Sequence, residues 1–85
     1  MSCLDAGGVK FMAYPNDHGP RHVHGLVGGM GGPEVIVDLN DDRTVCLARR
    51  VDAVRGATRS EVRKVLAAAA SRFDDLVALW DSMHQ

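Results

Sequence analysis

The period of the hydrophobic pattern changes once along this chain, near Gly56. Before that point apolar and polar residues alternate, the period-two signature of half-buried strands. After it apolar residues recur every three or four positions, as an amphipathic helix requires. A chain that orders its elements in this way folds as α+β, with the sheet first and the helix laid on it. Eighty-five residues make one domain, 1–85. Within it, 1–8 reads as a flexible N-terminus, 9–48 as sheet and 58–84 as a helical region.

Four strands follow from the alternation and its interruptions. Val9 to Tyr14 is the first, broken by the turn formers Pro15 to Pro20. Arg21 to Val27 is the second and ends in the Gly-rich stretch Gly28 to Gly32. Glu34 to Leu39 is the third, and after the turn Asn40-Asp41-Asp42 comes Arg43 to Ala48. Short connections between neighbours predict a four-stranded antiparallel meander. Pairing about the Gly-rich loop sets His24 opposite Ile36 and His22 opposite Asp38. Alternation then sends Val9, Phe11, Val23, Val27, Val35, Val37, Leu39, Val45 and Leu47 to one apolar face. His22, His24, Leu26, Glu34, Ile36, Asp38, Thr44 and Cys46 take the other, read as a polar outer surface.

Thr58 with Glu61 is a capping box that opens the helix. Unbroken from Arg59 to His84, it measures about 39 Å and overhangs a globule of roughly 30 Å. Its end, with Trp80, is then offered to a partner or to a second copy of the chain as a homodimer contact. Ser71 with Asp74 repeats the capping pattern and marks the place for a break into two helices. Inside an unprojecting helix, Trp80 belongs to the packed stripe.

Composition narrows the function classes. Two cysteines, Cys3 and Cys46, without metal-type spacing fit a reducing cytoplasm rather than a disulfide scaffold. No apolar run is long enough for a membrane span, and the N-terminus lacks the basic and apolar regions of a signal peptide. The net charge of −1 conceals blocks: residues 1–42 carry net −4, residues 43–72 net +6 and residues 73–85 net −3. Such blocks select partners through local fields.

Two features carry chemistry. His22 and His24, at i and i+2 on a strand, project from the same face. They fit a general acid–base pair on a phosphodiester, or two metal ligands with His18 or Asp38 as a third, or two histidines that merely shape the strand. No further cluster at standard spacing supports a metal or cofactor, so the sequence calls for neither. The second feature is the basic block, of which Arg49, Arg50, Arg55, Arg59, Arg63 and Lys64 are the candidate binding residues. Arg59 and Arg63 lie one helical turn apart, away from the apolar stripe. The block suits phosphate, hence nucleic acid through residues 43–72, or an acidic protein surface. No aromatic between Tyr14 and Phe73 supplies a stacking platform for a single strand. Cys46 sits in no thiol-enzyme motif and reads as a packed cysteine.

The stretch Asp17-His18-Gly19-Pro20-Arg21-His22-Val23-His24 resembles the motif of the small bacterial family called domain of unknown function 4160. Phe11 and Tyr14 before it, Val35 to Leu39 after it, and Leu76 to His84 with Trp80 fit the same pattern, so the resemblance spans residues 9–84. Arg21 stands where the pattern has a second proline and Gly25 where an apolar residue is usual. The resemblance implies a small cytoplasmic protein of toxin–antitoxin or mobile-element loci that works through a partner. The expected function is a non-enzymatic binding module that neutralises or regulates a protein or nucleoprotein. The alternatives are an RNase-like toxin using His22 and His24, and a metal-binding regulator.

Overall fold

The structure is a computed structural model that describes residues 2–84; Met1 and Gln85, the two ends of the single-domain span, lie outside the described residues. Strands β1 (Ser2–Ala6), β2 (Val9–Ala13), β3 (His22–Val27), β4 (Glu34–Leu39) and β5 (Val45–Leu47) form an antiparallel meander in chain order. A two-residue strand β6 (Val54–Arg55) pairs with β4 beyond the end of β5. Helices α1 (Arg59–Ser71) and α2 (Phe73–Met83) pack against the sheet.

The pairing of β3 with β4 sets His22 opposite Asp38 and His24 opposite Ile36, the register that the alternation predicts. Val9, Phe11, Val23, Val35, Val37 and Leu39 accordingly share one face and form the core with Val65, Ala69 and Leu76 of the helices. A residue with a β-carbon does not fit at the centre of this face. A Cβ on Gly25 would lie 2.7 Å from Cγ1 of Val65 and 3.2 Å from the ring of Phe11. Gly25 therefore lets α1 settle directly on β3.

Two expectations change, and the alternative left open for the helix is decided. The segment assigned to a flexible N-terminus is strand β1, with Ser2 opposite Ala13 and Ala6 opposite Val9. Its half-buried Leu4 and Ala6 rest on the core, and Gly7 and Gly8, both at positive φ, make the tight turn into β2. The helix opens on Thr58 with both hydrogen bonds of the capping box, and of the two alternatives for its length the broken one holds: α1 ends at Ser71 and α2 begins at Phe73. The hydroxyl of Ser71 does not cap the second helix; it donates to the carbonyl of Ala68, and α2 has no side-chain cap. The break removes the overhang: the molecule measures 33 × 25 × 24 Å, and Trp80 is buried within its own chain.

The other change concerns the second face. It is covered over much of its area and not an open polar surface: Met12, His22, His24, Leu26 and Ile36 are buried on it, while Glu34, Asp38 and Cys46 are half-buried and Thr44 stays exposed. Ala48 and Ala53 close over Ile36, and their segment is sewn to β4 by Ile36 N–H to the Ala53 carbonyl and Ala48 N–H to the Ile36 carbonyl. The C-terminal turn of α2 and the turn before β3 cover the histidines.

Candidate functional site

The covered end of the second face brings together Tyr14, Asp17, His22, His24, Glu34, Trp80 and His84. Strand β3 supplies both histidines two residues apart, so their rings share a face at 5.5 Å between centroids. Glu34 enters from the start of β4, two residues before the partner of His24 and on the same face. The turn between β2 and β3 carries Asp17 inward, with its N–H donating to the carbonyl of Tyr14.

The C-terminus holds that turn in place. The ring of His84 stacks on Trp80 with centroids 3.7 Å apart. Its Nδ1 lies 2.7 Å from the Trp80 carbonyl oxygen and its Nε2 2.9 Å from the Asp17 carbonyl oxygen. Trp80 in turn packs on His22 at 4.7 Å. An exposed ion pair from Arg21 to Asp81 joins the same two segments.

Nδ1 of His22 lies 2.9 Å from the Pro20 carbonyl oxygen, which can only accept, so that nitrogen donates. Nδ1 of His24 lies 2.8 Å from Oε2 of Glu34. Both Nε2 atoms face Oδ2 of Asp17, at 3.3 Å from His22 and 2.9 Å from His24. Nε2 of His22 is buried without a hydrogen-bond partner. Tyr14 closes the cluster edge-on to His24. Burial raises its phenol above the ordinary range, and the carboxylates of Glu34 and Asp17 push it in the same direction.

The predicted third ligands fall elsewhere. His18 is exposed and Asp38 half-buried. They line a cavity of about 460 Å³ with His22, Cys46, Arg49 and Arg50. Among the described residues, the group of histidines and acids whose donor atoms converge is Asp17, His22 and His24. Asp17 was visible in the sequence as part of the histidine motif, but its inward placement depends on His84, 67 residues away in the chain. No local signal reports such a contact.

The basic block divides. Arg49 and Arg50 border the cavity beside His22, and Arg50 pairs with Asp52. Arg55 reaches Glu34 at 3.6 Å. Lys64 sits over the β1–β2 turn, near Gly8. Arg59 and Arg63 flank a groove of about 450 Å³ floored by Leu47, Val54, Ala57 and Val62. Neither arginine has an ion-pair partner among the described residues. Val51, in the loop between β5 and β6, stands fully exposed. Among the described residues no helix is long and apolar enough to cross a membrane.

Comparison with protein-family models, with curated proteins and with solved structures finds no match to this chain.

Proposed function

We propose that the protein is a small non-enzymatic binding module that takes a protein partner on the groove between the β5–β6 edge and α1. The observation that carries this reading is the pairing of an apolar floor with two arginines on its rim, Arg59 and Arg63, that have no ion-pair partner among the described residues. An apolar groove with a cationic rim is complementary to a segment that is apolar on one side and acidic on the other. Phosphate alone has no use for Leu47, Val54 and Val62, which favours protein over nucleic acid as the occupant. The resemblance to domain of unknown function 4160 supports a role in a toxin–antitoxin or mobile-element system, where such a module would neutralise or regulate its partner.

The burial of the histidines speaks against the RNase-like reading. His22 and His24 are only 5% and 8% exposed, and both Nε2 atoms point at Asp17. A general acid–base pair must come within hydrogen-bond reach of the bond it cleaves, and a polymer backbone does not reach these atoms without displacing the covering turns.

The test compares the wild-type chain with the double variant R59E/R63E. Proteins of the native host that bind wild type and not the variant are purified and titrated calorimetrically. The expected result is one-to-one binding that weakens with salt and drops by about 10-fold or more on charge reversal. Growth arrest on expression, with RNA cleavage that H22A/H24A abolishes in a folded protein, would overturn the proposal. Salt-sensitive binding of RNA alone, without any protein partner, would overturn it too.

A further inference from the structure

The groove makes no use of the buried polar cluster on the other face, and the cluster has an unresolved electrostatic problem. With its Nδ1 committed as donor to the Pro20 carbonyl, the neutral ring of His22 presents a lone pair at Nε2. That nitrogen is buried, has no hydrogen-bond partner, and faces a carboxylate oxygen of Asp17 at 3.3 Å. A buried lone pair and a carboxylate oxygen this close, with no hydrogen bond between them, are unfavourable. A cation between them removes the conflict.

We propose that Asp17, His22 and His24 form a site for a divalent transition-metal ion of the zinc type, bound by both Nε2 atoms and a carboxylate oxygen. The three donor atoms lie within 4.8 Å of one another. In a tetrahedral site with bonds of 2.0–2.2 Å, ligand atoms stand about 3.4 Å apart. The separations of 2.9 and 3.3 Å from Asp17 to the two imidazoles are close to that spacing. The surroundings also fit. Metal-bound histidines as a rule donate their other N–H to a carboxylate or a backbone carbonyl, which fixes the tautomer and the ring plane. His22 does so to Pro20, and with its Nε2 on a metal His24 would do so to Glu34, 2.8 Å from its Nδ1. Two imidazoles with one carboxylate select zinc or iron(II) over calcium or magnesium, which prefer all-oxygen sites. Three protein ligands leave a fourth position to water.

This site shares no residue with the Arg59–Arg63 groove, so either proposal can fail without the other. Its test is calorimetric titration of the metal-free full chain with Zn²⁺, joined to the visible spectrum of the chain loaded with Co²⁺. The expected result is one zinc per chain, a higher melting temperature with zinc, and intense d–d bands of four-coordinate cobalt. Asp17→Asn and His22→Gln should each weaken zinc by about 100-fold or more. Glu34→Gln, acting through His24, should weaken it by about 10–100-fold, and His18→Ala should leave it unchanged. Should either ligand variant fail to fold, the cobalt spectrum of the wild type decides. No zinc bound at tenfold excess, a cobalt spectrum of the hydrated ion, or wild-type affinity in a folded Asp17→Asn protein would each overturn the assignment.

Discussion

The two faces of the sheet are both buried, yet they are built from opposite materials. The face under the helices is hydrocarbon throughout: Val9, Phe11, Val23, Val35, Val37 and Leu39 against Val65, Ala69 and Leu76. The other is closed by loops and by the end of α2, and it encloses two imidazoles held between Asp17, Glu34 and the Pro20 carbonyl. The first face gains from non-directional burial, which is the dominant favourable contribution to folding. The second must satisfy each polar atom it buries, and it leaves Nε2 of His22 without a partner. A small domain has little stability to spare. A buried polar atom left without a partner is therefore the exception on this face, and the proposed metal would give it one.

The contrast yields a graded set of expectations for chemical denaturation of the metal-free chain. Phe11→Ala should have the largest effect, a loss of about 3–5 kcal/mol, because it opens a cavity in the fully buried face. His24→Leu should follow with a loss of about 2–3 kcal/mol, since it strands two partly buried carboxylates, Asp17 and Glu34. Comparable losses for Phe11→Ala and for His22→Leu would break the division between the faces. Gly25→Ala should cost about 1–3 kcal/mol by pressing on Val65. Adding Val65→Ala should recover part of that loss, a coupling that a double-mutant cycle measures directly. Thr58→Ala removes the N-cap of α1 and should cost about 1 kcal/mol in the same assay. His22→Leu should have the smallest effect, within about 1 kcal/mol, because it trades one hydrogen bond for the removal of an orphaned nitrogen.

The sequence reveals much of the first face and little of the second. Alternation placed Val23, Val35 and Val37 under the helices, and the β3–β4 register followed from the Gly-rich loop. Thr58 and Glu61 announced the helix start. These are local signals, read within a few residues of the element they specify. The break at Arg72 was displaced by one residue from the Ser71 cap that the sequence suggested, because Ser71 bonds back to Ala68 instead. Strand β1 was hidden by its alternating exposed residues Cys3 and Asp5, which leave only Leu4 and Ala6 as apolar contacts. The site on the second face was legible only in part. His22 and His24 stand out in the sequence, but Asp17 reaches them because His84 returns from the far end of the chain to hold its carbonyl. Long-range closure of this kind has no periodicity to betray it.

The orphaned nitrogen of His22 links the contrast between the faces to the proposed metal site, and imidazole nitrogen NMR of the full chain observes it directly. Without metal at neutral pH, His22 should appear as the tautomer protonated at Nδ1, with Nε2 bare, and stoichiometric Zn²⁺ should shift the Nε2 resonances of His22 and His24 together. A His22 ring protonated at Nε2 and hydrogen-bonded to Asp17, with both resonances indifferent to zinc, would contradict it and leave the polar face as a closed structural network.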